Sequence, residues 1–226
     1  MTSEVTICNL ALAHLGDRAT VVSIDPPEGS PQAGHCAQFY APTRDMVLEM
    51  HTWSFTKRRI ALALVENPSS TWAYAYAMPN LCTGVLAILD PDAADDFSAS
   101  ASSQTDSFEV PTGVNQTQGA YTPQAFDIET LDDGSVVILT NQTDAVCRYT
   151  VAITDPAKFS ALFVQALSRF LASALAGPVV KGEAGRKAAL DQAKMGEYFL
   201  RMAKETDANS RNVKPTHQVP WLAARG

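Results

Sequence analysis

Charge is scarce in this sequence, and positive charge scarcer than negative. Only 18% of residues are charged, with 17 Lys and Arg against 24 Asp and Glu, for a net charge of −7. Binding that wraps nucleic acid needs clustered cations to displace counterions, so this balance opposes it. The one basic run, Lys57-Arg58-Arg59, is too short to reverse that, and reads as a solvated strand end or an intersubunit ion pair. Histidine is also rare: His14, His35, His51 and His217 form no H-x-x-x-H or H-E-x-x-H unit. Cys8, Cys36, Cys82 and Cys147 stand singly, without a C-x-x-C pair, which points to reduced, buried thiols and to neither a disulfide framework nor a metal centre. No G-x-S-x-G elbow occurs, and Gly182-Glu183-Ala184-Gly185-Arg186-Lys187 lacks the spacing and hydroxyl of a phosphate-binding loop. The start at Met1-Thr2-Ser3-Glu4 lacks a basic, apolar leader, and no later stretch reads as long and apolar enough to cross a bilayer. The expectation is a soluble protein without membrane contact, catalytic residue, metal or cofactor.

What is present is core material. The 226 residues are 46% hydrophobic, with three Trp, six Tyr and nine Phe, enough for one core with an insertion or for two small domains. Ser3 and Glu4 suit a helix N-terminus, with Val5, Cys8, Leu12 and Leu15 on one face and Gly16 ending it. Ser30-Pro31 opens a second helix through Cys36, Tyr40, Val47 and Leu48, which Pro42 should kink or interrupt. From Asp155-Pro156 an apolar stripe runs through Phe159, Phe163, Leu167, Phe170 and Leu171 to a stop at Gly177-Pro178. So little of that helix is polar that either a bundle core or a neighbouring subunit must cover it. A fourth helix, about 183 to 205, sets Ala188, Met195, Phe199 and Met202 against Asp191, Lys194, Arg201 and Lys204.

Between the helix pairs the period shortens to two. Trp72, Tyr74, Tyr76 and Met78 give a strand with one aromatic face. Two strands flank the turn dipeptide Asp133-Gly134, and Ala145, Cys147, Tyr149, Val151 and Ile153 alternate in another. The expected fold is α+β: an antiparallel helical bundle from 1–52 and 155–208, a β-rich insertion over 53–154 with a long polar loop at 90–118, and an extended C-terminal arm over 209–226. Asp90, Asp92, Asp95 and Asp96 lack the glycine and terminal glutamate of a calcium loop. In the last segment Val213, Pro215, Val219, Pro220, Trp221 and Leu222 read as an arm that docks into another protein, or as a frayed tail.

Several segments are recognisable together: Glu4 to Arg18, then Tyr40 with Arg44, then His51-Thr52-Trp53-Ser54-Phe55 with Arg58, then Trp72 through Tyr76 to Pro79. In order and spacing they resemble the tail tubular protein A family, head-to-tail adaptors of short-tailed bacteriophages. The resemblance covers the N-terminal third; beyond Pro79 it rests on architecture. Where the family carries Asp-Cys and a nearby Arg after the strand, Pro79-Asn80-Leu81-Cys82 keeps only the Cys. The resemblance implies a virion protein assembled in the host cytoplasm, forming a twelvefold ring of identical subunits between portal and tail nozzle. Tail fibres are a possible further partner. It also implies DNA passing through the ring without sequence-specific binding, and a C-terminal arm reaching the portal. The alternatives are a small virion-associated enzyme, which a deep acidic or His-containing cleft would favour, and a stand-alone monomeric interaction domain.

Overall fold

A computed structural model describes residues 2–18, 20–91 and 124–209. Most of the expected polar loop, from residue 92 on, and every arm residue from Val213 to Leu222 lie outside the described residues. The fold is α+β, with four α-helices and seven strands among the described residues, all pairing antiparallel.

Helix α1 spans Glu4–His14, and the Ser3 hydroxyl accepts from the Thr6 N–H. Its buried face is Ile7, Cys8, Ala11 and Leu12, so the expected stripe is rotated: Val5 and Leu15 are only half-buried. Helix α2, Pro31–Glu49, is capped by the Ser30 hydroxyl and runs uninterrupted through Pro42. Pro42 and Gln38 both lie on the exposed side, so the Gln38 carbonyl that loses its ladder partner can be hydrated.

Helix α3 also corrects its expected bounds. Asp155 caps only a short 3-10 turn, Pro156–Lys158, and a new cap at Ser160 opens the helix proper, Ala161–Val180. Gly177-Pro178 does not stop it, because a proline in the last turn removes one ladder bond while packing on α4 continues. Lys181, at φ +61°, ends it by donating its N–H to the Ala176 and Gly177 carbonyls. With Arg169 its only charge, α3 is long and apolar enough, by length and composition, to cross a membrane, contrary to the expectation that no segment is. Half of that span is buried in the protein, where α1, α2 and α4 pack on it and Phe163, Leu167 and Leu171 are fully enclosed. Helix α4, Gly182–Asn209, buries Gly185, Gly196, Leu200 and Ala203, while Met195 faces solvent. Of the expected face, Ala188, Phe199 and Met202 are half-buried, with Phe199 packed on the core, so only Met195 departs from it.

The strands fall between α2 and α3 in sequence. The first sheet has the order β1-β7-β4, with β1 at Lys57–Ala61, β7 at Val146–Val151 and β4 at Cys82–Leu89. The second has the order β2-β3-β6-β5: Leu64–Val65, Tyr74–Ala77, Val136–Thr140 and Phe126–Thr130. The β5-β6 hairpin turns at Asp133-Gly134, with Gly134 at φ +83°, as the dipeptide predicts. Tyr76 and Ile138 of the second sheet meet Ile88, Cys147 and Tyr149 of the first in one shared cluster. Tyr74, Tyr76 and Met78 share one face as expected, but Trp72 precedes β3 and packs with Ala75, Val137 and Leu139 on the opposite side.

Candidate functional site

Of the residues that carry the sequence resemblance, Trp53 and Phe55 come together after α2, against residues at the start of α3. Trp53, wholly buried between α2 and β1, donates its indole N–H to the Val47 carbonyl at 3.2 Å. Its ring stacks 5.8 Å from Phe55 and meets Phe163 edge-on at 4.9 Å, and Phe159 closes the group 4.6 Å from Phe163. Two motif aromatics and two residues expected on α3 thus form one cluster, although Phe159 sits just before that helix.

A polar clasp lies against the cluster. Asp207, in the last turn of α4, accepts from the Ser54 N–H at 3.0 and 3.1 Å and from the Ser54 hydroxyl at 2.6 Å. Its Oδ2 is 3.3 Å from His51 Nε2, within ion-pair range, although that nitrogen makes no hydrogen bond among the described residues. The order is carboxylate between hydroxyl and imidazole. A nucleophilic triad needs the imidazole in the middle to take the hydroxyl proton, so this trio holds chain segments together and does not activate Ser54.

Beside the clasp opens a cleft of about 430 Å³. Asp45, Leu48 and Glu49 of α2 form one wall, Thr83, Leu86 and Thr150 of the first sheet form the other, and His51 and Thr52 also line it, so an acidic, His-containing cleft of the kind that favours the enzyme alternative is present. The Thr83 and Thr150 hydroxyls bond each other at 2.9 Å, so they leave little unsatisfied. No grouping of three or more His, Cys, Asp or Glu able to hold a metal occurs among the described residues.

The remaining sequence-predicted residues are dispersed. Tyr40 is buried on α2, its ring 5.9 Å under the Arg44 guanidinium, and Arg44 bonds Asp45 at 2.8 Å and reaches Glu4 of α1 at 4.0 Å. Arg58 turns back to the Phe55 and Lys57 carbonyls, and Lys57-Arg58-Arg59 is the body of outer strand β1, with Arg59 opposite Arg148. Tyr76 donates to the Gln142 carbonyl at 2.9 Å, and the Pro79 carbonyl accepts the Cys82 N–H in a turn that holds Leu81 at φ +58°. Phe170 is half-buried against Gly196. His14 lies 3.2 Å from the Ser168 hydroxyl, and burial, then the Arg169 charge, lowers its pKa. All four cysteines are free; burial pushes Cys147 up to about 12 and raises Cys82, so both are thiols at neutral pH.

Sequence reasoning missed the clasp and the cleft. Ser54 and Asp207 stand 153 residues apart, and no local pattern links them. The chain matches no protein-family model, and no curated protein is significantly similar to it.

Proposed function

We propose that this protein is a head-to-tail adaptor of a short-tailed phage: a structural subunit, not an enzyme, that forms a twelvefold ring between portal and tail nozzle in the virion neck. In this reading the four helices make an antiparallel bundle, the sheets form an inserted β-domain, and residues 209–226 are an arm that docks on the portal. The observation that carries it is the convergence of Trp53, Phe55, Phe159 and Phe163 under the Asp207 clasp. The motif on which the resemblance rests is thereby used structurally, at the point from which the chain leaves α4. The trio there positions backbone and activates no nucleophile, which also favours a structural role. An acidic subunit lets DNA slide past with little adhesion where its acids line the channel.

Truncation after Asn209 tests this reading. The shortened chain is expected to keep its circular dichroism spectrum and to lose attachment to portal rings, as followed by light scattering. Unchanged attachment would refute the arm, and a virion neck lacking this polypeptide would refute the whole reading.

A further inference from the structure

We propose that the cleft between α2 and the first sheet is a peptide-binding site, and that its occupant in the free protein is the chain's own C-terminal segment, residues 210–226. The inference goes beyond the ring reading and does not depend on it, since it concerns the unassembled chain.

Charge points the same way from both sides. The segment carries Arg211, Lys214 and Arg225 and no Asp or Glu, in a chain of net charge −7. The cleft is lined by Asp45 and Glu49, and by no Lys or Arg. Arg44 bonds Asp45 from beside the cleft and offsets part of that charge, which leaves Glu49 as the stronger attractor.

Position agrees with charge. The described chain ends at Asn209, two residues past Asp207, and Asp207 is bonded to Ser54 and paired with His51. His51, Thr52 and Thr56 line the cleft, so the segment starts beside its wall. Trp221 is twelve residues beyond Asn209; an extended chain of that length spans up to about 40 Å, ample to reach any part of the cleft. Leu48, Leu86 and Val151 offer apolar wall to an indole, and about 430 Å³ falls within the roughly 300–1,000 Å³ of sites that enclose small ligands. Attraction of the cations to an acidic rim with burial of one aromatic anchor is the usual economy of short-peptide recognition.

The test uses the full chain labelled with 5-fluorotryptophan. Its three tryptophans give three fluorine resonances, and Trp221→Phe assigns the one of interest. The Trp221 resonance is expected to differ from that of a synthetic 210–226 peptide and to stay unchanged on tenfold dilution. In Asp45→Lys/Glu49→Lys it should move to the peptide value while the buried Trp53 resonance stays in place. If that variant disturbs Trp53, Arg211→Glu/Lys214→Glu, which leaves the described fold untouched, should release Trp221 in the same way. A Trp221 resonance at the peptide value in the unaltered chain overturns the proposal. So does a shift that survives charge reversal of the segment, and a shift lost on dilution overturns the intramolecular assignment. None of these readouts involves a portal, so failure here leaves the adaptor reading standing.

Discussion

A Cβ atom built on Gly185 of α4 would sit 2.8 Å from the carbonyl oxygen of Ala176 in α3. That separation is below any real carbon contact, so the two helices touch there through backbone, and only glycine permits the approach. At Gly196, further along α4, the close neighbour is a side chain, with the Phe170 ring 3.1 Å from the would-be Cβ. At these two points the contact between α3 and α4 depends on glycine, while Phe199 and Leu200 fill it further along.

Gly185→Ala should accordingly destabilise the protein, although alanine is ordinarily the better helix former. At Gly34, in α2, an added Cβ meets nothing within 4 Å, and Gly34→Ala should stabilise by about 0.5–1 kcal/mol through helix propensity alone. Thermal unfolding of the two variants should give shifts of opposite sign; a gain at Gly185 would show that the helices can separate freely.

Asp207→Ala removes the acceptor of both Ser54 donors, the N–H and the hydroxyl, and the carboxylate 3.3 Å from His51 Nε2. The expected loss is about 0.5–1.5 kcal/mol, because Ser54 is exposed and water can take the place of the lost acceptor. In a chain of this size each kcal/mol lowers the melting temperature by about 2–4 °C. Ser54→Ala keeps the N–H bonds and should cost less than Asp207→Ala. Equal losses would mean that the hydroxyl contributes all of the clasp.

Leu167→Asp places a carboxylate at a fully enclosed position between α3 and its neighbours. Without a cation to pair with, the expected cost is roughly 3–5 kcal/mol, enough to leave much of the chain unfolded at 37 °C. An unaltered melting temperature would show that this face of α3 is open.

His14 predicts an acid-side slope in stability. Burial and the Arg169 charge hold its folded pKa below the ordinary value of 6.5, so the unfolded chain takes up the proton more readily. Stability from this group is therefore complete above pH 6.5 and falls as pH drops from there toward the folded pKa. Denaturant titrations across this range should show the decline, and His14→Gln should flatten it relative to the unaltered chain.

Much of the local structure was readable in the residues. Ser3 and Ser30 cap the helices they were expected to cap, the Asp133-Gly134 dipeptide makes the hairpin turn, and the alternation around Cys147 and Tyr149 is strand β7. These features depend on neighbours within a turn or a pleat, so a short window contains their cause. Pro178 was misread as a stop for the complementary reason, and Pro42 does not interrupt α2. The cost of a proline is local, but whether a helix survives it depends on packing along its whole length.

The candidate site divides along the same line. Trp53 and Phe55 stand out as a motif, yet nothing near them in sequence names Phe159 and Phe163 as their partners, or Asp207 as the clasp. Composition and periodicity were sufficient for the fold class, the starts of α1 and α2, the hairpin and the apolar character of α3, because each follows from a few adjacent side chains and their backbone preferences. Which face of α4 is buried, which glycines let it close on α3, and which carboxylate locks α4 to the start of the β-region arose on folding. Those outcomes turn on distances between atoms far apart along the chain, and such distances exist only once the helices and sheets have packed.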